Sequence, residues 1–182
     1  MASLLTLLRD YMTDHDLWHK NLELKRGDHL HFAGDLDTNM YFVESGTLRY
    51  YILLDEEPEE QVIRFGYQGN FTAAIDCFMN NEPTIFYAQA LRKCRLKMIK
   101  RERFYHQLQV DEELVSMWQE VMRWIIGGQL EREIDLLTSS PEVRYQRVLA
   151  RSPQLFQEIP AKYIANYLRM TPETLSRIGA RS

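Results

Sequence analysis

The sequence predicts an α+β fold in which an antiparallel β jelly-roll barrel is followed by a long helix and a short helical C-terminal domain. Three observations support this prediction: short alternating apolar stretches between residues 22 and 100, a change to helical periodicity at Asp111, and two short helical segments joined by a tight turn near the end. The predicted domains are 1–110 for the barrel, 111–139 for the long helix and 140–182 for the helical domain.

The first half of the chain has the even spacing of short strands that is typical of a barrel or sandwich. The candidate strands are LEL, HLHF, MYFV, TLRYYILL, QVIRF, TIFYAQAL and KCRLKMI. Their alternation predicts that one face of each strand packs and that the other face is wet. The packed sets are Leu48, Tyr50, Ile52 and Leu54 in the fourth stretch and Cys94, Leu96 and Met98 in the last. Corners that need a positive φ are predicted at Gly27, Gly34, Gly46 and Gly69.

Composition and cysteine spacing exclude several classes of protein. The 45% hydrophobic and 26% charged residues are ordinary for a globular protein, and no apolar run approaches the ~20 residues of a membrane span. We therefore expect a soluble cytoplasmic protein with no membrane partner. Cys77 and Cys94 lack the spacing of a zinc finger and are too few for a four-thiolate iron–sulfur site, so we expect two buried, reduced thiols and no metal.

Charge is unevenly distributed along the chain. The formal net charge is −4, but the segment from Pro141 onward carries +4 and the preceding residues −8. A basic C-terminal segment in an acidic protein is typical of a nucleic-acid contact, although chance is the alternative in so short a segment. Its bases are Arg144, Arg147, Arg151, Lys162, Arg169, Arg177 and Arg181.

The helical periodicity that starts at Asp111 predicts one long helix with a broad apolar stripe. The stripe runs through Leu114, Met117, Trp118, Val121, Trp124 and Ile125 and continues to Leu130, Ile134 and Leu137. Such a stripe favours pairing with a second copy of the chain, and burial against the barrel is the alternative. The predicted dimer contacts are Leu114, Trp118, Val121, Ile125 and Gly128. The pair Gly127-Gly128 indicates either a hinge or a close approach of two backbones.

Capping signals divide the C-terminal segment into helices. Ser140-Pro141-Glu142 begins a helix that runs to about Arg151, and SPQLFQEIP is expected to break it. A helix over 161–168, a turn through Arg169 and Met170, and a last helix opened by Thr171-Pro172-Glu173 follow. This is a predicted helix-turn-helix, with Ala165 as the small crossing residue and with Ile164, Leu168, Leu175 and Ile178 facing inward.

The outer face of the last helix carries side chains that can read DNA. Arg177 can bind guanine with two hydrogen bonds, Glu173 can accept a hydrogen bond from cytosine, and Ser176 lies beside them. The residues placed to bind phosphates are Lys162, Arg169, Thr171 and Thr174.

These residues resemble those of a known family. IPAKYIANYLRMTPETLSRI is similar to the DNA-binding element of the Crp/Fnr superfamily, whose recognition helix has the form E-T-[VIL]-S-R. KRGDHLHFAGDLDTNMYFVESGTLRYYI resembles the opening of the cyclic-nucleotide-binding barrel of that superfamily, and GNFTAAIDCF lies at the place of its phosphate-binding cassette. The resemblance implies a bacterial transcription regulator that binds a palindromic promoter site on double-stranded DNA as a homodimer, with RNA polymerase as a further candidate partner.

The chain departs from the family pattern in three places. Nucleotide-binding members carry Gly-Glu and Arg-Ser or Arg-Thr pairs where this chain has Ala73-Ala74 and Thr84-Ile85, so cyclic AMP or GMP is not expected as the effector. The stretch from Arg151 to Ile159 is too short for the usual wing hairpin, and Arg169 replaces the turn glycine. No cofactor is predicted, and an unknown small-molecule effector is left open. Its candidate pocket residues are Asn70, Phe71, Thr72, Ala73, Ala74, Thr84, Ile85 and Tyr87.

Two alternatives come from other classes of function. A cupin-type metal enzyme would use His29 and His31, which strand periodicity places on one face, whereas two exposed strand histidines are the simpler interpretation. No GxSxG, HExxH or P-loop motif occurs, so we expect no enzymatic activity. A degenerate sensor, acting as a constitutive DNA-binding protein or a protein-interaction scaffold, would have side chains filling the pocket.

Overall fold

The computed structural model describes residues 2–54 and 59–180. Its strands are β1 (Lys20–Leu24), β2 (His29–His31), β3 (Met40–Ser45), β4 (Thr47–Leu53), β5 (Glu60–Tyr67), β6 (Phe71–Thr72), β7 (Tyr87–Ala90) and β8 (Cys94–Ile99). Its helices are α1 (Ala2–Asp14), α2 (Ile75–Asn80), α3 (Arg101–Val110), α4 (Glu112–Leu137), α5 (Pro141–Arg151), α6 (Pro153–Glu158), α7 (Ala161–Tyr167) and α8 (Pro172–Gly179).

The strands form two four-stranded sheets, and the predicted α+β fold class is confirmed. The strand order is β1-β8-β3-β6 in one sheet and β2-β7-β4-β5 in the other. The pairs β1/β8, β3/β8, β3/β6, β2/β7 and β4/β7 are antiparallel. The hydrophobic core consists of residues on alternate positions of both sheets: Tyr41, Val43, Leu48, Tyr50, Ala88, Ala90, Cys94, Leu96 and Met98.

The prediction of one wet face fails for β4. Leu48 and Tyr50 lie in the core as expected, but Arg49 and Tyr51 on the other face are also buried, with 4% and 5% of their surface exposed. The Arg49 guanidinium lies 4.2 Å from the centre of the Tyr51 ring and binds the Gln89 side chain. Tyr51 stacks on Tyr87 at 5.0 Å. Neighbouring side chains on the sheet therefore cover positions that alternation alone assigns to solvent.

The prediction that His29 and His31 share one face is wrong. The register of β2 against β7 shifts between them, because His29 pairs with Gln89 and His31 with the adjacent Ala88. Such a bulge places two residues of one strand opposite one residue of the other, so the side-chain alternation slips. His31 is buried, with 3% exposed, on the core side of Ala88, whereas His29 stacks against Phe32 on the other face. The two imidazoles cannot form the ligand pair that a cupin-type metal site needs.

Four helices were not predicted, namely α1, α2, α3 and α6. In α1, the spacing of Leu5, Leu8 and Met12 is helical, and all three side chains are buried. Helix α2 lies within the predicted cassette segment, and α3 connects β8 to the long helix and buries Phe104. The segment SPQLFQEIP is also not a simple break, because it contains the short helix α6, which begins at Pro153.

Contacts divide the chain into two compact units. The first comprises residues Met1–Ile52 and Arg64–Arg123, and the second comprises Leu53–Ile63 and Trp124–Ser182. Helix α4 is continuous from Glu112 to Leu137, so it begins in one unit and ends in the other. The functional boundaries at residues 110 and 139 remain a prediction.

Cys77 and Cys94 are both free and buried, and burial raises the pKa of each thiol. Among residues 2–54 and 59–180, no helix is long and apolar enough to cross a membrane. No strand occurs among the described residues after residue 124, so this part of the chain has no wing hairpin.

Gly46 provides a test of the barrel corners. Its φ is +93°, and a Cβ atom there would lie 2.3 Å from the Lys93 carbonyl oxygen, whereas Gly34 has a φ of +94° and open space around it. We expect Gly46→Ala to lower the free energy of unfolding by about 3 kcal/mol and Gly34→Ala by about 1 kcal/mol, because only the first adds a backbone clash to the strain. Urea denaturation of both variants measures the difference. Equal losses would contradict the clash.

Candidate nucleic-acid interface

Helices α7 and α8 pack through the apolar side chains predicted for the helix-turn-helix. Ala165 is completely buried, which lets α8 approach α7 closely. The other buried residues of this contact are Ile164, Leu168, Leu175 and Ile178. Because the inner face of α8 is anchored in this way, its outer face has a defined position on the surface.

The turn between α7 and α8 closes without glycine. Arg169 adopts the left-handed conformation, with φ +52°. The Met170 amide donates to the Ala165 carbonyl and the Arg169 amide to the Asn166 carbonyl, both at 3.0 Å. This pair of bonds is the Schellman motif, which normally uses glycine or asparagine at the left-handed position. The turn therefore has a regular geometry, and its arginine side chain is exposed.

The start of α8 is fixed by a threonine cap. The Thr171 hydroxyl accepts a hydrogen bond from the Thr174 amide at 3.2 Å and donates to the Thr174 hydroxyl. Both predicted phosphate-binding threonines are thus already used in capping. The Glu173 backbone amide and the Thr171 hydroxyl hold the pKa of Glu173 below its ordinary value, so this carboxylate is ionised at neutral pH.

The predicted base-reading residues share the outer face of α8. Glu173, Ser176 and Arg177 are all exposed, at positions three and four residues apart. Lys162 and Arg169 are exposed as well, so two cations lie on the segment formed by α7, the turn and α8. Together these residues provide an acceptor, a hydroxyl and a guanidinium for base edges, with further positive charge for a backbone.

Three of the seven C-terminal bases, namely Arg144, Arg147 and Arg151, are buried or paired within the protein. Asp135 of α4 is fully buried and binds Arg147 at 2.8 Å and also Arg151. Arg147 additionally binds Glu131 at 2.7 Å. Arg144 is buried, with 8% exposed. The charge excess of the segment therefore overstates the positive surface available to a polyanion, and Arg181 lies outside the described residues.

Helix α4 has two different faces in its second half. The exposed stripe, which we define as Ile126, Leu130, Ile134 and Leu137, has between 46% and 78% of each side chain exposed. Arg132 and Asp135 lie on the opposite face and are buried. Among the predicted dimer residues, Leu114 and Val121 are buried in their own chain and Trp118 packs on Phe104 at 4.9 Å, so they offer little surface to a partner.

The remaining predicted dimer residues lie further along α4. Ile125 is half-buried and Gly128 is exposed. Helix α4 continues without a break through Gly127 and Gly128. Outside the local helix backbone, no atom lies within 4 Å of a Cβ atom built on either glycine. Within the described chain they therefore make no close backbone approach.

Asn166 of α7 binds the backbone of strand β5. Its side-chain oxygen accepts from the Val62 amide and its side-chain nitrogen donates to the Glu60 carbonyl, both at 2.7 Å. The Gln61 side chain donates to the Asn166 carbonyl at 3.1 Å. The carboxamide thus replaces a peptide group of a neighbouring strand and holds α7 to the first residues of β5.

The predicted effector cassette contains an internal anion. The Asp76 carboxylate, in the first turn of α2, accepts hydrogen bonds from the Cys77 amide at 2.8 Å, the Thr84 hydroxyl at 2.9 Å and the Ile85 amide at 2.9 Å. A helix N-terminus, a hydroxyl and a loop amide are the donors that a bound phosphate commonly uses. In this chain a carboxylate occupies all three.

The other cassette candidates are mostly engaged as well. The Thr72 hydroxyl donates to the Tyr50 hydroxyl at 2.7 Å in the core, and the Asn70 side chain accepts from the Tyr67 amide at 3.3 Å. Phe71 stacks on Trp18 at 6.3 Å. Ala74 is buried, Ala73 is half-buried and Ile85 is 63% exposed. Tyr87 lies on the opposite face of its sheet from the core.

Buried polar side chains form a second cluster inside the barrel. Asp37 accepts hydrogen bonds from the Tyr41 hydroxyl at 2.8 Å and the Asn39 amide group at 2.8 Å, and His31 lies 3.4 Å away. Burial opposes ionisation of Asp37, but these donors outweigh it and lower its pKa. Burial, with the nearby Asp37 charge, raises the pKa of Tyr41, which keeps the phenol protonated.

Comparison with known proteins gives the family. The profile described as "Cyclic nucleotide-binding domain" matches residues 21–111, which is half of the chain. The chain belongs to the cyclic nucleotide-binding domain family. The matched residues contain all eight strands except the first residue of β1. No curated protein matches the sequence.

Solved structures extend the likeness of this member of the cyclic nucleotide-binding domain family beyond the matched residues to most of the chain. FixK2 from Bradyrhizobium japonicum has a TM-score of 0.71 and 16% identity, over 89% of this chain and 83% of the other. A CooA mutant from Carboxydothermus hydrogenoformans has a TM-score of 0.73 and 14% identity, over 98% of this chain and 83% of the other. The Thermus thermophilus catabolite activator protein has a TM-score of 0.57 and 18% identity, over 95% of this chain and 82% of the other. The resemblance to Crp/Fnr regulators is thus confirmed for the fold.

The sequence analysis missed several residues that hold the cassette and helix α7 in place. Asp76 could have been noticed as an acid that follows the paired alanines of the cassette. Asn166 and Arg132 gave no signal, because each acts on a backbone group that is distant in sequence.

Ala165 tests the packing of α7 on α8. Ala165→Leu adds three carbon atoms at a fully buried contact, so we expect the free energy of unfolding to fall by about 2 kcal/mol through overpacking. Ala161→Leu makes the same change at an exposed position of α7 and should cost under about 0.5 kcal/mol. Urea denaturation compares the two variants, and a small loss for Ala165→Leu would mean that the helices are loosely packed.

Proposed function

We propose that the protein is a transcription regulator that binds a palindromic site on double-stranded DNA as a homodimer, without enzymatic activity. The observation that carries the proposal is the geometry of α8, whose inner face is buried while Glu173, Ser176 and Arg177 point outward from a capped helix. A rigid helix with these side chains fits the major groove, where base edges differ in their donors and acceptors.

Phosphate contacts complete the proposed interface. Lys162 and Arg169 provide positive charge, and the amide groups at the start of α8 provide donors. The capping of Thr171 and Thr174 moves these residues from direct phosphate binding to positioning of the helix. A protein of net charge −4 then binds DNA through a small local surface, so affinity should be moderate and dependent on salt.

The second half of α4 is the proposed dimer interface. The exposed stripe is apolar at helical spacing, and an uncovered surface of this kind is typical of helix pairing. The resemblance of the sequence to Crp/Fnr regulators implies a homodimer, which agrees with pairing along this helix. A two-fold pair of α8 helices would then contact half-sites about one turn, ~34 Å, apart. RNA polymerase is a further candidate partner when the dimer is bound at a promoter.

Cyclic AMP and cyclic GMP are not the proposed effectors. Asp76 occupies the donors of the cassette and places a negative charge where a cyclic phosphate would lie, and no arginine or glutamate stands in the paired positions Ala73-Ala74 and Thr84-Ile85. These filled donors favour a second candidate function, a degenerate sensor that binds DNA constitutively. An effector without phosphate remains compatible with the first.

Selection from a random duplex pool tests DNA reading. We expect the protein to enrich a two-fold symmetric sequence, and Arg177→Ala to relax one base pair in each half-site, with a loss of about 1 to 3 kcal/mol at that position. Arg169→Ala is the matched control, because it should weaken all sequences equally and reduce the salt dependence. The proposal fails if nothing is enriched from the pool, or if the two variants have the same effect.

Sedimentation tests the dimer interface. Leu130→Glu with Ile134→Glu places two charges in the exposed stripe, so we expect a dimer to become a monomer, with at least about a 100-fold weaker association. Leu7→Glu makes the same change at an exposed residue of α1 and should leave the dimer intact. Analytical ultracentrifugation at micromolar concentration distinguishes the species. A monomeric wild-type protein would contradict the interface.

A further inference from the structure

Two buried arginines bind the backbone of the turn that precedes α8. Arg132 of α4 donates to the Tyr167 carbonyl, and its guanidinium lies 3.7 Å from the centre of the Tyr167 ring. Only 8% of Arg132 is exposed. The carbonyl groups at the end of a helix have no partner within it, so this bond terminates α7 with a group from another helix.

Arg144 makes a second connection to the same turn. From α5, its Nη1 donates to the Thr138 carbonyl at 2.7 Å and its Nη2 to the Arg169 carbonyl at 3.2 Å. Thr138 follows the last residue of α4, and Arg169 is the left-handed residue of the turn. One guanidinium therefore joins the end of the long helix to the turn that leads into α8.

The helices that carry these arginines are themselves held together. Asp135 lies between Arg132 and the end of α4 and is fully buried against Arg147 and Arg151 of α5. Hydrogen bonds with charged partners are stronger than neutral ones and depend on direction. Charged hydrogen bonds thus link helix α4 to helix α5, and each of these helices to the turn, all within the second compact unit.

We propose that Arg132 and Arg144 are positioning residues that fix the direction of α8 relative to α4 and so determine the half-site spacing that the dimer accepts. The inference rests on the proposed function, because a spacing exists only for a dimer on DNA. Both side chains are buried and donate hydrogen bonds to backbone carbonyls at the end of α7 and in the turn, so they act through the turn. They should therefore affect the spacing of the half-sites and leave the base sequence within each half-site unchanged.

Lysine is the informative replacement at both positions. It keeps the charge and most of the apolar stem, but its ammonium group cannot bridge two carbonyl groups as the planar guanidinium of Arg144 does. Arg123→Lys provides the matched control, because Arg123 lies on the same helix, is exposed and pairs with Glu120 one turn away.

The experiment measures binding to duplexes that carry the half-site selected by the wild-type protein, with the spacer varied in steps of one base pair. Each step moves one half-site by ~3.4 Å and rotates it by ~34°. We expect the wild type and Arg123→Lys to prefer one spacer over its neighbours by about 30-fold, and Arg132→Lys with Arg144→Lys to reduce this preference to about 3-fold. The base preference within the half-site should not change.

Each outcome decides the inference. An unchanged spacing preference in the double variant overturns it, and so does an equal loss of affinity at every spacer, which would show a purely structural role. If circular dichroism shows that the double variant is unfolded, the single variants replace it and should each give an intermediate preference. If the wild type enriches no symmetric site, the proposed function fails first and the inference falls with it.

Discussion

The backbone carbonyl groups at the end of α7 need hydrogen-bond partners, and the way the chain supplies them constrains the whole C-terminal unit. Arg132 and Arg144 bring charged donors to Tyr167 and Arg169 from two other helices. Losing either of these charged hydrogen bonds would cost about 1 to 3 kcal/mol, which favours a single arrangement of these helices. That arrangement determines the direction in which the outer face of α8 points, because the inner face of α8 packs on α7.

Because some of the arginines are used inside the protein, the charge of the C-terminal segment in the sequence differs from the charge on its surface. The C-terminal segment is basic in sequence, but Arg144, Arg147 and Arg151 are buried or paired within the protein. The exposed cations near α8 are few. For the proposed contact with DNA, the orientation of α8 therefore matters more than the total charge of the segment.

At the cassette of the barrel, too, polar groups have hydrogen-bond partners within the chain. Polar groups that could bind an external ligand are satisfied internally, since Asp76 takes the donors of α2 and of the loop before β7, and Thr72 bonds to Tyr50. Buried donors require acceptors whether or not a ligand is present. In this member of the family, donors at the cassette therefore have acceptors within the chain itself.

The sequence by itself determined seven of the eight strands, the long helix, the capped helices α5 and α8, and the outer face of α8, because each depends on local periodicity or on a capping residue. It could not determine the bulge that separates His29 from His31, since the register of β2 is decided by β7. The sequence also did not predict the contacts of Arg132, Arg144 and Asn166 with carbonyl and amide groups that are distant along the chain. Backbone groups are the same in every residue, so only the tertiary structure decides which side chain reaches them.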